Sequence, residues 1–526
     1  MSEDRIRTDG GTDHEHVVLD PWGSSTVDDY RQLFTDFGIE SFEEIVAEVE
    51  DPHYLMRRGV IFGHREYNRL VEAMQRGDRF AALSGFMPTG DPHIGHKLVF
   101  DELIWHQEQG GDTYGLIADL EAHSARGKTW DEIDQHTRDY IVSLIACGFD
   151  PEEGTLYRQS TNREVQDLAF ELGIQANFSE LQAIYGFDGE TDVSHMQSVV
   201  TQMADILYPQ LEGPVPTVIP VGPDQDPHVR LARDLSDRMR MFGVTEAYAS
   251  FESDFDERAV LSAVYDELRS HLDSDDIRCL DAAVYLRDGV EAVDPQDRDA
   301  YVTDPVPDEL DSVERAVYEN LLNAGMEPLR PRVRVVDRNA SRDAFEALID
   351  RVSGEKRVYD AHVDAFELSI AEAKSLARDV EVDHGGYGFY PPSSIYHRFM
   401  TGLTGGKMSS SIPASHISLL DDPGEGYEKV KAATTGGRET AELQRELGGE
   451  ADKCPVYELY AYLLTGDDDE FAKRVYDECV NGERLCGDCK EQAATLMREF
   501  LQDHADKRAE VEDTLDEISF QFDHDR

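Results

Sequence analysis

Positive charge is scarce in this chain, and lysine is scarcer still. The 526 residues carry 50 Lys+Arg against 109 Asp+Glu, a formal net charge of -59. Only 11 of the cations are lysine, and none falls between Lys128 and Lys356. An acidic surface that keeps arginine and sheds lysine points to a proteome adapted to molar salt, where the Debye length is about 3 Å and self-repulsion is screened. Non-specific attraction to phosphate is weak in such salt. Charge therefore argues neither for nor against nucleic acid, and binding would rest on shape and short hydrogen bonds. Long apolar runs are missing too. None approaches the ~20 residues that span a bilayer, and the start MSEDRIRTDGGTDHEH has no secretory apolar stretch. These absences exclude a helical membrane protein and point to a soluble, cytoplasmic one. Cysteines number six. Cys454, Cys479, Cys486 and Cys489 share one segment, and in a cytosolic chain such a set reads as ligands before it reads as disulfides.

What remains is enough to fold. An apolar fraction of 40% builds real cores, and the length implies roughly three or four domains. No fixed-period repeat is visible. Residues 1–16 read as a disordered polar tail and 17–78 as a helical extension. Residues 79–252 alternate between strand and helix: Phe80 to Gly85 as strand, a helix from near His93, Thr113 to Leu120 as strand, Trp130 to Cys147 as helix, Thr155 to Gln159 and Thr217 to Val221 as strands. Such β-α-β units specify a parallel sheet. An acidic insertion is expected over 253–384, a return to the sheet domain over 385–412 with a strand at Tyr387 to Tyr390, and a helical domain over 413–526.

Two motifs carry chemistry. In His93-Ile94-Gly95-His96 the histidines stand at i and i+3 where a strand–loop–helix turn points its N–H groups outward. Two imidazole donors there suit the charge that develops on an α-phosphate under attack by a carboxylate. Gly95 would let a flat ring lie against the backbone. In Gly405-Gly406-Lys407-Met408-Ser409-Ser410-Ser411 the glycines give a mobile loop, the serines and N–H groups can wrap a pyrophosphate, and Lys407 supplies a point charge. Taken alone, each has an ordinary alternative: two solvated histidines at a helix start, or a flexible surface linker.

Together, in this order around a β-α pattern, they resemble the two signatures of class I aminoacyl-tRNA synthetases. Ser410 stands where many members have a second lysine. The finer resemblance is to the tryptophanyl group of archaeal and eukaryotic type, carried by Asp20-Pro21-Trp22, Arg57-Arg58-Gly59 with Phe62-Gly63-His64-Arg65, Ala146 to Asp150, Asp224-Gln225-Asp226-Pro227 and Gly436-Gly437-Arg438. It implies an α/β fold: a Rossmann-type doubly wound parallel sheet with an all-helical anticodon-binding domain and the acidic insertion. It also implies ligation of L-tryptophan to tRNA(Trp) through a tryptophanyl-adenylate, with Mg2+ accompanying ATP, in a homodimer.

By the same resemblance His93, His96 and Lys407 are catalytic, and Gly85, Thr89, Gly95, Asp224, Met408, Ser409, Ser410 and Ser411 bind ATP. Glu121, Gln202, Asp205 and Gln225 bind the amino acid, while Leu83 replaces the tyrosine that eukaryotic-type enzymes place over the indole. The spacing C-x24-C-x6-C-x2-C of the four cysteines is similar to an iron–sulfur site of some bacterial relatives, apart from its first gap. Zinc is the other ligand such a set could take, and packing as free thiols is the ordinary reading. Three rivals stand beside the main reading: a tyrosyl enzyme on the same scaffold, a small-molecule nucleotidyltransferase with a His-x-Gly-His turn, and a non-catalytic tRNA-binding derivative.

Overall fold

The computed structural model of the chain describes residues 34, 37–247, 332–406 and 412–524. The tail 1–16, Asp20-Pro21-Trp22, Cys279, the 253–331 part of the expected insertion and the loop Lys407, Met408, Ser409, Ser410 and Ser411 lie outside the described residues. The chain forms two compact units, residues 1–238 with 390–526, and residues 239–389.

The larger unit is built on strands β1 (Glu40–Ser41), β2 (Ile61–Arg65), β3 (Ala81–Phe86), β4 (Asp112–Ile117), β5 (Thr155–Arg158) and β6 (Thr217–Val221). β7 (Phe242–Ala247), β8 (Arg332–Asp337), β9 (Lys356–Val358) and β10 (His362–Ala365) belong to the smaller unit, and β11 (Ser393–His397) returns to the larger. The large sheet has seven strands in the order β1-β2-β11-β6-β3-β4-β5. β5, β4, β3, β6 and β11 run parallel, whereas β2 is antiparallel to β11 and β1 to β2. Strands covered on both faces read as unbroken apolar runs. Ala81-Ala82-Leu83 and Val218-Ile219 are of this kind, and all five are buried. The chain order reverses between β3 and β6, and a doubly wound sheet opens its ligand crevice beyond the carboxyl ends of such a pair.

Two sequence expectations need correction. Residues 17–78 are not helical throughout, because β2 lies inside them and pairs with β11. Gly59, at φ 64°, ends the short helix Tyr54–Arg57, and the apolar run that follows is buried on both faces, so it carries no helical period. The strand expected at Tyr387 to Tyr390 begins instead at Ser393, after Pro391-Pro392; a proline has no N–H to give a ladder.

The helices Pro423–Ala432, Ala441–Leu447, Asp469–Val480 and Cys486–Glu512 make the C-terminal region, and one apolar core runs from the sheet into it. Arg58 fastens the N-terminal segment to it, with hydrogen bonds to the Ala461 carbonyl (2.8 Å) and Thr465 Oγ1 (2.9 Å) and an ion pair to Asp469 (2.7 Å). Arg508 joins the last helix to Trp130–Cys147 through Asp139 at 3.1 Å. In the smaller unit β7-β8-β10-β9 form an antiparallel sheet of four strands, packed with the helices Arg342–Arg351 and Ile370–Asp383. Buried Asp364 there pairs with Arg334 at 2.7 Å and Arg332 at 3.3 Å.

Candidate active site

A cavity of about 810 Å³ opens where the strand order reverses. Gly85 at the end of β3, Thr89 in the following loop, His93, Gly95 and His96 line one side, and Asp224 and Gln225 at the end of β6 line the other. Glu121, Gln202 and Asp205, expected from sequence to bind the amino acid, line it as well, as does Leu83.

The His93–His96 turn is built by its own histidines. His93 caps the helix Ile94–Glu108: its Nδ1 accepts from the Gly95 N–H at 3.1 Å, while Nδ1 of His96 accepts from the His93 N–H at 3.1 Å. This is the reciprocal arrangement of a capping box made with imidazoles. A neutral ring whose Nδ1 accepts must carry its proton on Nε2, so each ring keeps a donor on that edge. Burial pushes the His93 pKa well below the usual histidine value, and burial with the nearby His416 pushes His96 down to about 4. The rings lie 3.9 Å apart, and Tyr140 places its hydroxyl 3.2 Å from Nε2 of His96. Beneath them Lys97 pairs with Asp101 at 2.7 Å. Residues just beyond the glycine–serine loop dock on this turn, the Ile94 N–H donating to the Ile417 carbonyl (3.1 Å) and the Leu419 N–H to the Pro92 carbonyl (2.9 Å).

The other end of the cavity is a nest of sheltered acids and amides. Gln202 and Asp205 stand at i and i+3 on the helix Val193–Leu207 and so share a face. Asp205 is fully buried and accepts from the Tyr157 hydroxyl at 3.0 Å and the Gln159 amide at 2.6 Å. Burial still pushes its carboxyl up to about 8, against those two bonds. Glu121 is pushed up to about 7 by burial, opposed by Arg126. It sits on the first turn of the helix Asp119–Arg126, which Arg158 pins through Asp119 at 2.9 Å. The Gln159 and Gln202 side-chain oxygens are buried without a hydrogen-bond partner. Free acceptors beside an apolar wall containing Leu83 and Ile206 suit a flat ring with one N–H. Asp226 has a different use: it is buried and pairs with Arg65 (2.8 Å) and Arg230 (3.0 Å) while accepting from the Tyr396 hydroxyl (2.6 Å).

The family described as "tRNA synthetases class I (W and Y)" matches residues 75–254 and 368–502. The chain belongs to this family. It is 64% identical over 523 residues to tryptophan–tRNA ligase 1 of Halobacterium salinarum, covering 99% of each chain. It is 43% identical over 504 residues to the tryptophan–tRNA ligase of Methanosarcina acetivorans, covering 95% of this chain and 98% of that one. Among solved structures, tryptophanyl-tRNA synthetase from Aeropyrum pernix matches with a TM-score of 0.62 at 29% identity, over 96% of this chain and 99% of that one. The similarity to a Halobacterium protein agrees with the salt adaptation read from composition.

The synthetase cavity also contains residues that sequence reading did not single out: Arg126, Lys128, Gln159, His228, His397, Arg398 and Met400. Gln159 directly follows β5, so the rule that ligands gather beyond the carboxyl ends of parallel strands marks it. His228, two residues past Asp226, had no such signal; its Nδ1 meets the Tyr185 hydroxyl at 2.9 Å. The cysteine set differs from expectation. Cys454, Cys479, Cys486 and Cys489 line one small pocket beside Gly436-Gly437. Among the described residues, however, no three of these thiols come within 4.8 Å of one another. A tetrahedral zinc with bonds of ~2.3 Å would draw its sulfurs to about 3.8 Å apart. The thiols do not fit a single ion as they stand. Burial raises Cys479 and pushes Cys489 up to about 12, so both are protonated at neutral pH. Among the described residues, the one such group whose ligand atoms converge is Asp91, His136 and Asp139, and its Asp139 is already paired with Arg508.

Proposed function

We infer that the chain is an ATP-dependent tryptophan–tRNA ligase. The carboxylate of tryptophan attacks the α-phosphate of ATP, pyrophosphate leaves, and the acyl group of the adenylate then passes to the terminal ribose of tRNA(Trp). The observation that supports this most directly is that two histidines whose Nδ1 atoms accept backbone N–H groups and a nest of buried acids and amides line one cavity over the sheet's switch point. The first group would cradle the phosphates at a helix N-terminus and stabilise charge as it develops. The second would hold the amino acid, with Gln202, Asp205 and Gln225 reading its ammonium and ring and Glu121 standing on the indole side. Most of the catalysis would then be positioning.

Lys407 and Met408 to Ser411 are assigned to the leaving pyrophosphate, and the docking of residues 417–419 on the His93 turn supports that reading. Gly85, Thr89 and Gly95 would pass the nucleotide close to the backbone. Mg2+ enters with the triphosphate, since it keeps most of its waters and takes one or two carboxylates; Asp224 on the cavity wall fits that role. When bound, the cation would supply neutralisation of phosphate charge.

Residues 413–526 are read as the anticodon-binding domain, the enzyme as a homodimer, and its location as cytoplasmic. No described helix is long and apolar enough to cross a membrane. Of the two metals considered for the cysteines, the iron–sulfur cluster is the one retained, because a cubane spaces its thiolates more widely than zinc does. Anaerobic purification should give a coloured, iron-containing protein; a colourless, metal-free and fully folded product overturns that assignment. The decisive assay for the enzyme is amino-acid-dependent ATP–pyrophosphate exchange in high salt. Exchange driven by tryptophan, followed by charging of tRNA(Trp), is expected, and exchange driven by tyrosine alone refutes the substrate.

A further inference from the structure

Glu102 is a charged side chain that the mechanism leaves unused. It stands on the same helix as His96, fully buried, and neither carboxylate oxygen has a hydrogen-bond partner. A carboxyl in that position is costly unless a counter-charge faces it. The facing group is His397, whose Nδ1 lies 3.6 Å from Glu102 Oε1. His397 ends β11, and its register against β2 slips there: Tyr396 faces Gly63, whereas His397 faces Ile61. A bulge of this kind re-aims a side chain and is common beside active sites. Nδ1 is enclosed, yet the ring lines the same cavity as His93, His96 and Arg398. The edge that meets the cavity is therefore the one carrying Nε2.

We propose that buried Glu102, facing Nδ1 of His397, orients that ring so that its Nε2–H contacts the triphosphate of the bound nucleotide. His397 is then a further nucleotide-binding residue and Glu102 its positioning residue. This rests on the reading of the cavity as an ATP site. The charge balance favours it. His93 and His96 are neutral and offer dipoles only, so a tetra-anionic ligand draws on the other polar groups of the wall, His397 beside Arg126, Lys128 and Arg398. A buried carboxyl behind His397 fixes where that ring stands, and Glu102 itself is not on the cavity wall. Burial raises the Glu102 carboxyl and the field of His397 opposes that rise.

The test is tryptophan-dependent ATP–pyrophosphate exchange on the full chain with His397→Gln, His397→Lys and Glu102→Gln, each checked by thermal unfolding. His397→Gln should raise the KM for ATP about tenfold and leave the KM for tryptophan unchanged, the loss of one charge-assisted hydrogen bond. Glu102→Gln should raise the same constant severalfold, and His397→Lys should restore it to near wild type. An ATP KM within twofold of wild type in His397→Gln, or equal rises for both substrates, overturns the proposal. If His397→Gln does not fold, Glu102→Gln and His397→Lys decide by the same criteria. A wild-type enzyme with no tryptophan-dependent exchange would instead refute the functional reading on which the inference stands.

Discussion

Asp205 is a fully buried carboxyl, and replacing it with asparagine gives a prediction with a sign and a size. Its folded pKa of about 8 lies above the ~3.9 of an unfolded aspartate. Between about pH 4 and pH 8 the folded state therefore holds a proton that the unfolded state has released, and stability falls as pH rises through that window. Four pK units at 1.36 kcal/mol each set an upper bound of about 5 kcal/mol on this loss. Asparagine keeps the shape and, with the Gln159 amide turned over, can still meet both the Tyr157 hydroxyl and Gln159. It cannot ionise. The variant should thus be close to wild type in stability at pH 4.5 and more stable than wild type at pH 8, by up to a few kcal/mol. Denaturant midpoints for both proteins at the two pH values, at one fixed salt concentration, give the double difference in which all other titrating groups cancel. A difference that does not change with pH refutes the assignment of a strained, proton-holding Asp205. Because the negative field of Glu121 contributes to the shift, Glu121→Gln should reduce the wild-type pH slope in the same window.

His93→Asn should keep the helix cap, since asparagine is a good N-cap, but withdraw the Nε2 donor. Exchange kcat is expected to fall about 10²–10³-fold with a melting temperature within a few degrees of wild type; unaltered kcat rules out a transition-state role. Lys97→Met strands Asp101 in a half-dry site 2.7 Å from where the ammonium was. It should lower unfolding free energy by roughly 3–5 kcal/mol, and adding Asp101→Leu should recover most of that in denaturant melts.

The parallel sheet and the His93–His96 turn were legible because each has a local cause. Strands covered on both faces are continuous apolar runs, and a capped helix start after one of them fixes where backbone N–H groups point. Thr217 to Val221 and Trp130 to Cys147 come out with the bounds read from sequence. What escaped depends on pairing at long range. β2 looked like part of a helical extension because nothing local says that Ile61 to Arg65 will meet Ser394 to His397, more than 300 residues later. Gln159 and His397 escaped for the same reason. Gln159 follows the end of β5 and His397 ends β11, and only the sheet order shows that both ends open into one cavity. The cysteine spacing showed the reverse failure: it suggested convergence, and the four thiols share a pocket without converging on one ion.

Lysine usage connects composition to the site. Before residue 356 the chain keeps only Lys97 and Lys128. The first is paired with Asp101 under the signature turn, and the second lines the cavity. Molar salt screens exposed charges beyond about 3 Å but reaches enclosed pairs far less. A surface of -59 can therefore drift under selection for solubility without altering the field inside the cavity. That field is set by enclosed partners: Lys97 with Asp101, Arg158 with Asp119, Arg65 with Asp226, and the carboxyls of Glu121 and Asp205. Adaptation to salt and chemistry on ATP are in this way carried by different residues. A lysine retained in this chain is then better evidence of use than a lysine in an ordinary protein, and the argument extends to Lys407.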